Sequence, residues 1–192
     1  MADRTLIIGL GNPGPEYSLT RHNLGFLVVD ELAGRLDAKK FKRSKHHALV
    51  ADARDGDTPL VLAKPQTYMN ESGRAVAALA RYYRLPPDRI VVAHDELDLP
   101  FGTVRVKLGG GTAGHNGVAS VVETIGPGFA RVRLGIGRPA GRKDPVVWVL
   151  EPFAKREAED VPSFVDRGAD AVLSVLREGI SAAQTAFNQR PQ

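Results

Sequence analysis

Five short polar segments of this chain carry side chains that could share one reactive site. They offer one imidazole, one carboxylate and three carboxamides: His22, Asp95, Asn12, Asn70 and Asn116. A neutral imidazole accepts a proton from water near neutral pH, a carboxylate fixes the tautomer of that imidazole, and amides orient a polar substrate. These residue types predict hydrolysis by a base-activated water, without a protein nucleophile.

His22 is the candidate general base, and Asp95 is its candidate partner. His22 lies at the expected start of a helix, and Asp95 follows the apolar run 90–93, which is typical of a buried strand. His94 is an alternative base, although its adjacency to Asp95 is poor geometry for a shared hydrogen bond. We expect Glu96 to be solvated or to brace a loop.

The segment 9–14 matches the G-x-G-x-x-G pattern of dinucleotide-binding proteins. That interpretation needs a helix that begins inside the motif and presents its amino end to a pyrophosphate. Pro13 and Pro15 delay the next helix, so we favour a tight turn that aims the Asn12 amide. A nucleotide-binding oxidoreductase stays as a competing hypothesis.

The other polar segments also have purely structural interpretations. Asn70 precedes a predicted helix and could simply cap it. The glycine-dense segment 109–117 could be a flexible connector instead of a mobile rim that closes on substrate, and the role of His115 stays open. The sequence contains no G-x-S-x-G and no H-E-x-x-H motif. We therefore expect no serine nucleophile, no metal and no cofactor.

Composition limits the class of protein. The 192 residues are 43% hydrophobic, which suffices for one domain with a sizeable core. No run of about 18 apolar residues exists, so we expect no membrane-spanning helix, and the first residues do not resemble a signal peptide. Cysteine is absent. This fits a reducing compartment and leads us to expect a cytoplasmic protein.

Positive charge is concentrated in two places. Residues 102–143 hold seven basic residues and one acidic residue, a net charge of +6 in a chain whose total is +4. Alternation places Arg105 with Lys107, and Arg131 with Arg133, on single faces of two predicted strands. The run 39–45 is also basic and could be an ordinary solvated loop. Such surfaces suit a polyanionic partner.

Apolar periodicity predicts alternating helices and strands, and therefore an α/β layer structure. Helices are expected over 23–36, between Val76 and Pro86, from Val118 to Ile125, and over about 154–190 with a break at Gly179. Strands are expected at 6–8, 48–54, 59–64 and 90–93, and at the two basic alternating segments. Sites in such folds lie at the carboxyl ends of strands, where most of these polar segments fall.

Taken together, the motifs resemble the bacterial peptidyl-tRNA hydrolase family. The resemblance runs from about residue 6 to 153, in order and at family-like spacing. It is carried by Gly-Leu-Gly-Asn-Pro-Gly at 9–14, Tyr17 with Thr-Arg-His-Asn at 20–23, residues 65–73, His-Asp-Glu-Leu-Asp-Leu-Pro at 94–100, the glycine segment 109–117, and Arg-Val-Arg-Leu-Gly-Ile-Gly-Arg-Pro at 131–139. Several long motifs in order are more specific than any one of them.

The resemblance implies an enzyme that hydrolyses the ester between a peptide and the terminal ribose of tRNA. It implies a single catalytic domain over 1–192, with a twisted mixed β-sheet flanked by helices, no metal or other cofactor, and a monomer. By motif position, His22 is the base and Asp95 its partner. Asn12, Asn70 and Asn116 hold the peptide end, the water or the oxyanion, while Tyr17 and Met69 shape the pocket wall.

The basic strands agree with such a substrate. Arg105, Lys107 and Arg133 are the candidates for contact with the tRNA backbone, since phosphate contacts position a substrate without reading its sequence. A non-catalytic RNA-binding relative of the family stays as an alternative. His22 and Asp95 distinguish the two, because a protein that only binds RNA needs neither.

Overall fold

The computed structural model describes residues 3–189. The ends of the expected domain 1–192, and the end of the expected C-terminal helical segment near residue 190, lie outside the described residues. Within them, no helix is long and apolar enough to cross a membrane.

Seven strands form one mixed sheet in this part of the chain. In chain order they are β1 (Thr5–Gly9), β2 (Lys42–Arg43), β3 (Ala48–Asp55), β4 (Thr58–Pro65), β5 (Ile90–Glu96), β6 (Val104–Leu108) and β7 (Ala130–Gly135). Their spatial order is β2-β3-β4-β1-β5-β7-β6. The four central strands are parallel, whereas β2, β3 and β6 pair in antiparallel fashion at the two edges. All four parallel strands therefore end at the same edge of the sheet.

Helices cover both faces of the sheet. They are α1 (Leu24–Arg35), α2 (Ser72–Tyr83), α3 (Asn116–Ile125), α4 (Pro145–Val149), α5 (Lys155–Ala158), α6 (Val161–Glu178) and α7 (Ile180–Phe187). Side chains alternate along β1, so Ile7 packs towards α1 and α6 while Leu6 and Ile8 pack towards α2 and α3. Two apolar cores result, one on each side of the sheet.

The expected α/β architecture is confirmed, with boundaries shifted by one or two residues at most helices and strands. The expected break at Gly179 separates α6 from α7, where this residue has a positive φ of 90°. The short helix α4 was not predicted. It has only five residues, which is too short to show helical periodicity.

Two glycines let α1 lie directly against the end of β1 and the middle of β5. A Cβ on Gly25 would be 2.4 Å from the carbonyl oxygen of Ala93 and 2.5 Å from the backbone nitrogen of Leu10. A Cβ on Gly9 would be 2.1 Å from the carbonyl oxygen of Gly25. His22 is in the 3-10 turn that leads directly into α1.

Gly25→Ala should therefore destabilise the protein, by about 3 kcal/mol, since backbone and not a flexible side chain must move. Gly34→Ala is the matched control. Gly34 is in the same helix and a Cβ there meets nothing within 4 Å, so we expect a gain of about 0.5 kcal/mol from reduced chain entropy. Urea unfolding of both variants measures the difference, and similar free energies of unfolding would contradict this account of the packing.

Candidate active site

The polar segments meet at the carboxyl edge of the parallel strands. The turn after β1 carries Asn12, the segment after β4 carries Met69 and Asn70, and β5 itself carries Asp95 near its end. All of them line one cavity of about 460 Å³. The cavity is also lined by His22, Tyr17, His115 and Asn116. The structure thus brings the seven candidate catalytic and substrate-binding residues together.

His22 and Asp95 are in direct contact. The Nδ1 atom of His22 lies 2.8 Å from the Oδ2 atom of Asp95, and Asp95 is only 1% exposed. An ionised carboxylate can only accept, so Nδ1 carries the proton and donates it. The Nε2 atom of His22 is then the unprotonated nitrogen, and it is able to accept a proton from water.

His115 is a second imidazole on the same carboxylate. Its Nε2 atom lies 2.8 Å from the Oδ1 atom of Asp95. Its Nδ1 atom accepts hydrogen bonds from the backbone N–H groups of Gly117 and Val118, and thereby caps α3. Because Nδ1 accepts, the proton of His115 must be on Nε2, where it is donated to Asp95. Sequence reasoning left this role open; its only indication was the position of His115 directly before Asn116.

The electrostatics favour a protonatable His22 next to a charged Asp95. Burial disfavours the protonated imidazole of His22. The charge and the hydrogen bond of Asp95 outweigh burial and raise the pKa of His22 above the ordinary 6.5. Burial alone would raise the pKa of Asp95, but the two imidazoles outweigh burial and hold that pKa well below its ordinary value. The carboxylate therefore stays ionised throughout the working range of the imidazole.

His94, the alternative base, has a different position. It is 2% exposed, and its Nδ1 atom donates to the backbone carbonyl of Asp95 instead of facing the cavity. Burial, with a contribution from His115, lowers the pKa of His94 to about 3, so that it is neutral. Glu96 is not solvated: its side chain is 3% exposed and accepts two hydrogen bonds from Arg133, at 3.1 and 2.8 Å. Its Oε2 atom also accepts from the backbone N–H of Asp98 at 3.4 Å, which agrees with the expectation that Glu96 braces a loop.

Asn12 is held in one orientation by the backbone. Its Oδ1 atom accepts from the N–H of Met69 at 2.8 Å, and its own N–H donates to Asn23. This leaves the Nδ2 donor of Asn12 for a substrate in the cavity. The helix that a dinucleotide motif requires begins only at Leu24, well beyond Gly14, so the turn interpretation of 9–14 is the one that the structure supports.

The other two amides are at the exposed margin of the cavity. Asn70 is exposed, lies within the 3-10 turn Met69–Glu71 and makes no capping hydrogen bond to α2, so the simple cap interpretation was wrong. Asn116 is the first residue of α3 and is exposed too. Both amides are therefore free to meet a ligand that enters from solvent.

The basic strand residues divide into buried and accessible groups. Arg131 is 2% exposed, and its guanidinium donates to carbonyl groups of Gly110 and Gly111, so it is an anchor of the glycine segment and not part of a surface stripe. Lys107 and Arg133 are half-buried beside a separate cavity of about 200 Å³. Arg105 is half-buried, and its guanidinium donates to the carbonyl of Phe187 at the end of α7.

A family model described as peptidyl-tRNA hydrolase matches residues 6–192. The chain belongs to the peptidyl-tRNA hydrolase family. Proteins named peptidyl-tRNA hydrolase from Mycolicibacterium smegmatis and Mycobacteroides abscessus are 52% and 54% identical to it over 189 and 184 residues. These alignments cover 98% and 95% of this chain, and 99% and 93% of the relatives.

The structural comparison agrees. The crystal structure of peptidyl-tRNA hydrolase from Acinetobacter baumannii matches with a TM-score of 0.90 and 36% sequence identity, covering 98% of this chain and 96% of that one. The family membership and the mixed α/β sheet expected from the sequence are thus both confirmed.

The raised pKa of His22 should depend on Asp95. In Asp95→Asn the opposing charge is lost while burial remains, so the pKa of His22 should fall from above 6.5 to below 6.5. Titration of the histidine Cε1 protons by NMR measures this. Asp98→Asn is the matched control, since Asp98 is exposed and pairs with Arg138. An unchanged His22 pKa in Asp95→Asn would show that another group sets it.

Proposed function

We propose that this chain hydrolyses the ester between a peptide and the terminal ribose of tRNA, and so recycles stalled peptidyl-tRNA. The observation that carries the proposal is the 2.8 Å contact between His22 Nδ1 and Asp95 Oδ2, which leaves Nε2 unprotonated in a cavity lined by three amides. Membership of the peptidyl-tRNA hydrolase family supports the choice of substrate.

In the proposed reaction, His22 Nε2 takes a proton from water as the water oxygen attacks the ester carbonyl carbon. The resulting imidazolium is stabilised by the charge of Asp95. The carbonyl oxygen becomes an oxyanion, which an amide N–H can stabilise. Collapse of this intermediate breaks the bond to the ribose oxygen, which takes the proton from the imidazolium. Free tRNA and a peptide carboxylic acid are formed, the acid loses its remaining proton to solvent, and His22 returns to its starting tautomer.

The amides and the pocket wall have complementary roles in this proposal. The fixed Nδ2 donor of Asn12 is suited to the peptide end or the developing oxyanion, because it needs no reorganisation. Asn70 and Asn116 contact the substrate from the exposed margin. Tyr17 and the buried Met69 shape the wall against which the terminal nucleoside and the peptide lie.

The proposed chemistry is metal-independent. One nitrogen of His22, one of His115 and a carboxylate oxygen of Asp95 lie within 4.8 Å of one another, which is a spacing that metal ligands can have. However, the hydrogen bonds place protons on the two nitrogens that face the carboxylate. A metal bound there would have to displace the proton of His115 Nε2, and Nδ1 of that ring already accepts two N–H groups. The cluster therefore suits two imidazoles that donate to one carboxylate better than it suits a metal site.

The tRNA would lie on the β6–β7 side of the cavity. We propose Lys107, Arg133 and Arg105 as contacts for its phosphates, with Glu96 holding the Arg133 guanidinium in place. We further propose a monomer as the working form and the cytoplasm as the place of action.

His22→Ala should lower the single-turnover rate of peptidyl-tRNA hydrolysis by about 10²- to 10⁴-fold, because the general base is lost. The affinity for tRNA, measured by filter binding, should change little. His46→Ala is the control: that imidazole stacks on Tyr82 and does not line the cavity. A rate that survives in His22→Ala would assign the base elsewhere, and a wild-type protein that binds tRNA without hydrolysis would favour the RNA-binding alternative.

Lys107→Ala should raise KM and flatten its dependence on salt concentration by about one counterion, with little change in kcat. Lys107→Ala is easier to interpret than Arg133→Ala, because loss of Arg133 would also leave the buried Glu96 carboxylate without its partner. Arg54→Ala provides the control. Arg54 pairs with Pro59 at the start of β4, at the opposite edge of the sheet from the cavity. If the salt slopes of wild type and Lys107→Ala coincide, Lys107 is outside the tRNA path.

A further inference from the structure

The outer edge of the sheet at β6 is closed by a side chain instead of a strand. β6 is last in the spatial order, so within residues 3–189 one of its edges has no neighbouring strand. On that edge the Oδ1 atom of Asn188 accepts from the N–H of Val106 at 2.8 Å, and the Nδ2 atom of Asn188 donates to the Val106 carbonyl at 2.7 Å. One carboxamide therefore supplies both hydrogen bonds that a further strand would make at this residue.

Asn188 directly follows α7, and its own backbone is fixed. Its N–H donates to the carbonyl of Gln184 at 2.8 Å and so ends the helix. The carbonyl of the preceding residue, Phe187, accepts from the Arg105 guanidinium at 3.0 Å, which satisfies one of the carbonyls that the last turn of a helix leaves without a partner. The two consecutive residues Phe187 and Asn188 therefore attach the end of α7 to β6.

This attachment lies between the two basic residues of β6. Val106 is buried, with Arg105 before it and Lys107 after it. A single residue separates Lys107 from the glycine segment 109–117, and the Arg131 guanidinium holds carbonyls of that segment. The backbone of Lys107 is therefore anchored on both sides, by the amide bound to Val106 and by Arg131.

The position of the Lys107 ammonium group depends on this backbone. The side chain passes directly over Gly110, where an added Cβ would lie 2.3 Å from the Cε atom and 2.5 Å from the Nζ atom of Lys107. Lys107 thereby lines the cavity of about 200 Å³ that Arg133 also lines. A strand that is paired on one side only opens more readily than a central strand, so loss of the hydrogen bonds at Val106 would let Lys107 move.

We propose that Asn188 is a positioning residue for the contact between Lys107 and tRNA. By taking the place of a further strand at Val106, its amide keeps the edge of β6 closed and keeps Lys107 beside Arg133. This inference rests on the proposed function, in which Lys107 binds a tRNA phosphate. It gives the end of α7 a part in substrate affinity, although residues 180–188 line neither the cavity of His22 nor that of Lys107.

Protection of the sheet edge is the alternative role for Asn188. An uncovered edge strand can pair with another chain, and covering the edge prevents such association. Both roles predict that Asn188→Ala uncovers the backbone of Val106. Only the positioning role predicts a loss of tRNA affinity that is transmitted through Lys107.

The test is a double-mutant cycle of Asn188→Ala and Lys107→Ala. KM and kcat are measured on peptidyl-tRNA, and the Kd of deacylated tRNA is measured by filter binding. Asn188→Ala should raise KM and Kd about fivefold and leave kcat unchanged, whereas in the Lys107→Ala background the same change should have almost no effect, because the two residues act as a unit. Partial unfolding does not mimic this result, since it lowers the apparent kcat and leaves KM unchanged.

Thr185→Ala is the matched control, because Thr185 is an exposed residue of α7 whose hydroxyl bonds only to Ser181 of the same helix; it should change neither KM nor Kd. Equal rises in KM in the two backgrounds, or no rise in either, would overturn the proposal. So would a dimer of Asn188→Ala with an unchanged KM, which edge protection alone predicts. Absence of hydrolysis by wild type would instead refute the proposed function, and the Kd values would still decide the role of Asn188.

Discussion

The site depends on one buried charge. Asp95 is 1% exposed, and a carboxylate in such a place is tolerated only when hydrogen bonds replace its lost water. Two imidazoles supply them, His22 on one oxygen and His115 on the other. Each imidazole is itself oriented by the fold. His22 is held by the turn before α1, and His115 by the two N–H groups at the start of α3. The tautomer that leaves His22 Nε2 unprotonated follows from this arrangement.

The same need for partners explains where the cations are. Arg21, Arg131 and Arg133 each donate to groups inside the protein: the first to the carbonyl of Trp148, the second to the glycine segment, and the third to the buried Glu96 carboxylate. Much of the positive charge that suggests RNA binding is therefore used to fix the loops around the cavity. Fewer basic side chains are therefore available to bind a polyanion than the sequence implies, and Lys107 is the clearest of them.

Two surfaces of opposite character flank the proposed base. Basic side chains are on the β6–β7 side, and the exposed apolar side chains of Val146 and Val147 are on α4. A substrate made of a polyanion and a peptide joined by one ester matches this polarity, provided that the ester lies at His22. The peptidyl-tRNA hydrolase family supplies such a substrate by name.

The sequence by itself determined the fold class, the family, and the segments that meet at the site. Helical spacing over 23–36 and the apolar run 90–93 require α1 and β5, and six motifs in order are specific enough to identify the family. Periodicity reports which face a side chain occupies, and local motifs report which residues are unusual. Both periodicity and local motifs can be recognised without knowing which distant residues they contact.

Only the tertiary structure decided which polar groups are partners. The bond from His115 to Asp95 spans 20 residues, that from Arg133 to Glu96 spans 37, and that from Arg21 to the Trp148 carbonyl spans 127. Alternation placed Arg131 on one strand face but could not show that glycine carbonyls cover that face. The partners of a buried charge are set by which loops close over it, and this is a property of long-range packing, not of local sequence.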